Sequence, residues 1–329
     1  MKNKANNKTY ILAMLCLLLF FIPFLISSYK LGIIIMIFVN IIMAVSIRIV
    51  LLTGQFHLCH AAFMGVGAYS SALLVNYAGM PFWVAFPAAG LLTALLGLVI
   101  GNMTFRLKGL YFMVVTFILG EAFRLGIANG PGILGGYTGL GTKSITPISV
   151  GFVAIDFSSK TSYYYLILIM VIAIVLLALR IDSTRYGKIL LGIQQNEKLL
   201  ESLGVNTSYY NVLFFVLSCA IAGMTGSFWA HYNLVISTDS FGIWQSIFFL
   251  VYCQLGGLQS VYGAIAGATF LTYLRTILRP VVELEPVIFG TILVISIFLL
   301  PRGLISIVEP VQNWINKLFT RKKQLQNTL

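Results

Sequence analysis

Charge is what this sequence has least of. Of its 329 residues only 9% are Asp, Glu, Lys or Arg, while 59% are hydrophobic. A soluble domain carries about 25% charged residues, so a soluble enzyme is excluded. Disorder is excluded too, because it needs low hydrophobicity and high charge. Acidic residues are the scarcest, nine against 21 Lys+Arg, and the net charge is +12. In a soluble protein that excess would suggest nucleic acid; in a membrane chain it must first be tested as a sidedness signal. Cysteine is limited to Cys16, Cys59, Cys219 and Cys253, without a C-x-x-C pair. They fall in or beside apolar spans and read as small buried packers, with no redox or metal work. His57 and His60 stand at i and i+3 with no nearby carboxylate, which argues against a metal site and for hinge-stabilising or polar-lining roles. The few polar residues within the spans form no hydrolase triad, and no cofactor is implied.

A phosphate-binding loop is also missing. Gly136-Tyr137-Thr138-Gly139-Leu140-Gly141-Thr142-Lys143-Ser144 comes near, but Thr142 separates the glycine from the lysine. The motif needs Lys directly after that glycine, between a strand and a helix. The chain therefore has no nucleotide site of its own.

What is abundant is long uncharged sequence. A bilayer core takes about 20 apolar residues per helix, and the windows lie at Tyr10–Ser28, Leu31–Ile47, Ala61–Ala78, Phe82–Phe105 and Leu110–Ala128. Five more follow at Tyr163–Leu179, Tyr209–Ala230, Phe241–Leu255 (short), Val261–Leu278 and Val287–Leu300. The expectation is an all-α integral membrane protein of about ten helices, forming one transmembrane domain over 1–329. The loop 129–162 is rich in Gly, Thr and Ser. With the N-terminus inside, 15 of the 21 basic residues fall on the inner side, including a basic tail over 309–329. That bias places both termini in the cytoplasm and 129–162 outside. Lys2, Lys4 and Lys8 before an apolar core resemble a signal peptide, but Ile26-Ser27-Ser28 is a poor cleavage site, so an uncleaved first helix is expected.

Two segments break at glycine on the same expected side. One runs Thr53-Gly54-Gln55-Phe56-His57-Leu58-Cys59-His60, and the other runs Gln254-Leu255-Gly256-Gly257-Leu258-Gln259-Ser260. Each leads into a helix with a small-residue face that lets backbones approach closely. Gly97-x-x-x-Gly101 and Gly263-x-x-x-Gly267 are pairs of that kind. Paired broken helices mark substrate paths in transporters; ordinary inter-helix loops are the alternative. On this basis His57, His60, Gly256 and Gly257 are candidate path residues. Glu121 and Arg124 join them as the clear charged pair within a span, sharing a helix face at i and i+3. They form either an internal salt bridge or a lining of the path.

The polar stretch 180–208 holds seven of the thirty charges. Its apolar residues recur between Gln, Asn, Glu and Lys, which predicts short amphipathic helices ended by Gly204. Such a segment can lie on the membrane or dock a soluble partner helix-in-groove; Glu197 and Glu201 favour the partner.

Several segments, in order, carry a family resemblance. They are Gly54-Gln55, His60-Ala61-Ala62-Phe63, Arg106-Leu107-Lys108-Gly109-Leu110-Tyr111-Phe112, Gly135-Gly136-Tyr137-Thr138-Gly139-Leu140, Arg185-Tyr186-Gly187-Lys188, Gln195-Asn196-Glu197, Ala222-Gly223-Met224-Thr225-Gly226, Gly256-Gly257-Leu258 and Pro301-Arg302-Gly303-Leu304. The chain thereby resembles, along nearly its whole length, the permease subunit of branched-chain amino-acid ABC importers, the LivM type. It departs from the family at His57-Leu58-Cys59-His60, where Ser-Leu-Gly-His is usual, and at Gln195, where Arg is usual. The resemblance implies a bacterial-type cell membrane, a second similar permease, two cytoplasmic ATPases and an extracytoplasmic binding protein; membrane lipid, not nucleic acid, surrounds it. It makes 180–208 the coupling segment, with Arg185, Gly187, Lys188, Glu197, Glu201 and Gly204 as coupling residues. ATP hydrolysis then belongs to the partners and this chain is no enzyme. Urea or short-amide permeases of the same superfamily are the alternative within the class. An ion-coupled secondary transporter is the alternative outside it, and the scarcity of intramembrane carboxylates argues against it.

Overall fold

The computed structural model describes residues 19–130, 132–150, 153–157 and 159–278, with isolated positions between 287 and 294. Nine α-helices lie among them: α1 Ser28–Leu51, α2 His60–Asn76, α3 Phe82–Thr104, α4 Leu110–Ala128, α5 Lys160–Ser183, α6 Arg185–Ser202, α7 Thr207–Asn233, α8 Ile243–Gly256 and α9 Val261–Leu278. Six of these, α1, α3, α4, α5, α7 and α9, are long and apolar enough to cross a membrane. A helix suits that solvent because it satisfies its backbone within one segment. Residues 19–25 are helical too, and the chain breaks at Ile26-Ser27 before α1. The rest of the expected first span, most of Val287–Leu300 and the tail 309–329 lie outside the described residues.

Helix α1 is the centre of the bundle. Apart from Asn40, Ser46, Arg48 and Thr53 the stretch from Phe38 to Thr53 is apolar, and every residue in it is buried, as a helix without a polar face requires. It packs against α5, α9, α7 and α8. Helix α4 is the opposite case. Its buried residues are Phe112, Thr116, Gly120 and Ala128, a narrow seam at four-residue spacing. Leu110, Tyr111, Val114, Ile118 and Leu125 stand exposed around it.

Glycine decides where backbones touch. A Cβ on Gly226 of α7 would lie 1.9 Å from the Met64 carbonyl oxygen of α2, and one on Gly67 would lie 2.2 Å from that of Gly223. The expected Gly97/Gly101 pair faces Cys219 and Phe215 on α7. The expected Gly263/Gly267 pair meets backbone of α8 at Gly256 and Tyr252. Both small-residue faces are therefore helix contacts. Cys59, Cys219 and Cys253 are buried free thiols, as expected.

The expected loop 129–162 carries more structure than its composition shows. Leu140–Gly141 pairs antiparallel with Val235–Ile236, and Ile148–Val150 with Val153–Ile155. The first pairing has a physical cause. Helix α7 ends at Asn233, and its last carbonyls need donors. Thr142 supplies them, its N–H to Leu234 at 2.7 Å and its hydroxyl to Ala230 at 2.8 Å. His231 adds a third tie. Its Nδ1 meets the Lys143 carbonyl at 2.6 Å, so that nitrogen carries the proton, and Nε2 accepts from Ser71 at 3.0 Å.

Candidate functional site

The two breaks lie at one level of the bundle, at the C-terminal end of α1. The first runs from Leu52 to Cys59. Its orphan amides are met by other helices: Leu58 N–H donates to Thr116 of α4 at 3.2 Å, and Ala61 N–H donates to Ser246 of α8 at 3.0 Å. His57 and His60 are both 0% exposed. His60 Nε2 lies 2.7 Å from Ser46 Oγ, and the His57 ring stands edge-on to Phe215. Both histidines thus sit in the packed wall of the bundle. In the second break Gly257 takes φ 106°, which favours glycine. Ser260 Oγ then accepts from Tyr262 N–H at 3.2 Å and starts α9.

Arg48 joins the second break to the polar segment 180–208. Its Nη1 and Nη2 donate to Asp182 Oδ1 and Oδ2 at 3.1 and 2.9 Å, and its Nε donates to the Leu258 carbonyl at 2.7 Å. The arginine side chain is 1% exposed and the aspartate 28%. Sequence reading took Arg48 as one more inner-side charge. The available signal was that two apolar spans end on opposite charges, Arg48 and Asp182.

The polar segment 180–208 is two short helices, as the pattern predicts. Helix α6 is kinked at Asn196, whose φ/ψ is −161°/91°. Its Oδ1 accepts from Leu199 N–H at 3.1 Å and caps the second piece. Gly204 ends that piece at φ 84°. Its N–H donates to Glu201 O, and Val205 N–H donates to Leu200 O. This is the paired 5→2 and 6→1 closure that a left-handed residue permits. Gly187 is buried against the end of α5, where a Cβ would meet Asp182 Cα at 2.9 Å. Glu197 faces inward to Lys108 and to the Thr207 hydroxyl, which also reaches Glu201 Oε1 at 2.7 Å. Arg185, Lys188 and Glu201 are exposed, and so are Leu191, Leu199 and Leu203.

At the opposite end of α4, Glu121 and Arg124 do pair, Nε to Oε1 at 2.8 Å. Arg124 Nη1 also reaches Asp239 Oδ1 at 3.3 Å. The trio carries one net negative charge. Asp239 also borders a cavity of about 410 Å³ between α1, α8 and α9, with Asn40, Trp229, Trp244 and Arg275 among its lining residues. Glu121, Arg124, His57, His60, Gly256 and Gly257 are not among those lining residues. Asp239 and Arg275 were not legible as site residues, because only the folded loop 238–241 brings them to one cavity.

A profile of the family described as branched-chain amino acid transport system / permease component matches residues 29–298. The chain is 28% identical to the high-affinity branched-chain amino acid transport system permease protein LivM of Salmonella typhimurium strain LT2, over 93% of this chain and 76% of that one. It is 27% identical to the Escherichia coli K12 protein of the same name over the same shares. It is 22% identical to a probable LivM of Methanocaldococcus jannaschii over 65% of this chain and 66% of that one. No solved structure matches. With its apolar spanning helices, the chain is a multi-pass membrane protein and belongs to the branched-chain amino acid transport permease family.

Proposed function

We propose that the chain is the transmembrane permease subunit of an ABC importer that moves leucine, isoleucine and valine into the cytoplasm. Separate ATPase subunits supply the energy. In this reading ten helices cross the membrane with both termini inside. A second permease completes the path, and an extracytoplasmic binding protein delivers substrate. Family membership supports the reading. The observation that carries the substrate class is the cavity bordered by both Asp239 and Arg275. A zwitterion leaving water needs a partner for each charge; a neutral amide such as urea has no use for both. The path also takes in the neighbourhood of Glu121 and Arg124, with the breaks at His57, His60, Gly256 and Gly257 framing its inner end. The segment 180–208 docks on the ATPase through its exposed side, where Arg185, Lys188 and the leucines stand free of the bundle and Glu201, tied to Thr207 by one oxygen, lies exposed beside them. Gly187, Glu197 and Gly204 hold its shape from behind.

The test is uptake in liposomes carrying the permease pair, ATPases and binding protein. Labelled leucine accumulates with ATP, labelled urea does not, and omitting the ATPase abolishes uptake. Leucine uptake without ATPase would replace this reading with a secondary transporter. Uptake of urea and not leucine would replace the substrate. Lys188→Glu with Glu201→Lys loses ATPase capture; retained capture and transport would remove the docking assignment.

A further inference from the structure

The inner end of α1 carries a charge that no apolar helix would keep without a use. We infer that Arg48 is a positioning residue that ties the cytoplasmic segment to the second helix break, so that displacement of the one is delivered to the other. The inference rests on the importer reading above.

The geometry is specific. One guanidinium spans two elements: its two Nη groups grip Asp182 in the last turn of α5, and its Nε holds the Leu258 carbonyl in the break between α8 and α9. Helix α6 begins at Arg185, three residues after Asp182, and Gly187 packs directly on the Asp182 backbone. A push on α6 therefore reaches Asp182 without slack. Asp182 cannot leave alone, because a buried arginine stripped of its only described carboxylate is strongly disfavoured. Arg48 follows it, and the Leu258 carbonyl follows Arg48 or loses its donor. A carbonyl that loses its hydrogen-bond donor inside the protein is also disfavoured. Gly257, at a backbone conformation few residues adopt, gives the break freedom to respond. The other break is touched by the same segment, since Gly54 lies against Gln194. A lysine at 48 would not serve, because one ammonium cannot present a paired fork to Asp182 and a third donor to Leu258.

The experiment reads leucine transported per ATP hydrolysed in the reconstituted full complex. Asp182→Asn keeps the ATPase bound and lowers that ratio at least fivefold, while Asp182→Glu stays within twofold of wild type. Arg48→Lys assembles and lowers the ratio in the same direction. If transport and hydrolysis fall together in Asp182→Asn, with the ratio unchanged, the pair is a static brace and the inference is overturned. Loss of assembly in both Asp182→Asn and Arg48→Lys overturns it in the same way. If wild type itself moves no leucine under ATP, it is the importer reading that fails.

Discussion

Replacing Gly226 by alanine tests the close contact between α2 and α7 most directly. The added Cβ would stand 1.9 Å from the Met64 carbonyl oxygen, 2.8 Å from its carbon and 3.0 Å from the Ala68 nitrogen. All three are backbone atoms, so no side chain can swing aside. Bringing the first contact out to 3.0 Å, below which real Cβ atoms are essentially never found, separates the helices by about 1.1 Å. A gap of that size forfeits about a quarter to a half of each dispersion contact along the seam, and overpacking of this kind costs about 1–3 kcal/mol. Gly126 of α4 is the control. A Cβ there meets nothing within 4 Å, and alanine in an open helix position is favoured over glycine by about 0.5–1 kcal/mol. The two variants should therefore differ by about 2–4 kcal/mol. At about 2 °C per kcal/mol for a chain of this size, Gly226→Ala melts roughly 4–8 °C below Gly126→Ala. The assay is thermal unfolding in detergent followed by a thiol-reactive dye, since Cys59, Cys219 and Cys253 are buried and free. Equal melting of the two variants, or a more stable Gly226→Ala, would refute backbone contact as the organising feature of the seam.

Two further outcomes follow from the sites. Gly204→Ala meets no atom within 4 Å, so its effect is conformational alone; at φ 84° it costs about 1 kcal/mol. Hydrogen exchange at the amides of Gly204 and Val205 should rise several-fold, and unchanged protection would contradict the cap. In the trio of Glu121, Arg124 and Asp239, Glu121→Ala lowers the melting temperature more than Asp239→Ala, because Glu121 takes two guanidinium nitrogens at 29% exposure while Asp239 is 77% exposed. The reverse order in the same thiol assay would show that Asp239 is the principal partner of Arg124.

Local features were legible and distant ones were not. Bilayer-length apolar windows place α1, α3, α4, α5, α7 and α9 within a few residues, because one physical length governs them all. Both breaks were legible as polar, glycine-bearing interruptions. The two-piece polar segment 180–208 followed from its amphipathic period and Gly204. Which helices become neighbours is not written locally. Arg48 and Asp182 are 134 positions apart, and nothing at either position names the other. The strand Leu140–Gly141 is too short to carry an alternating pattern, and its partner Val235–Ile236 lies past three helices, α5, α6 and α7. Asp239 reads as an ordinary loop aspartate until the turn Thr238–Phe241 carries it to Arg124.

The glycine seams also set what size of piece can move. Where Gly67, Gly223 and Gly226 bring α2 and α7 backbone to backbone, there is no layer of side chains to act as a lubricant. Sliding either helix along the other would drive Cβ-bearing neighbours into carbonyl oxygens. The same holds for α8 and α9 at Gly256, Gly263 and Gly267. Each pair is in effect one wide stave. Side-chain packing around α1 is the softer material between staves, so in the importer reading proposed above a change of access is expected to tilt whole staves about α1 as an axle.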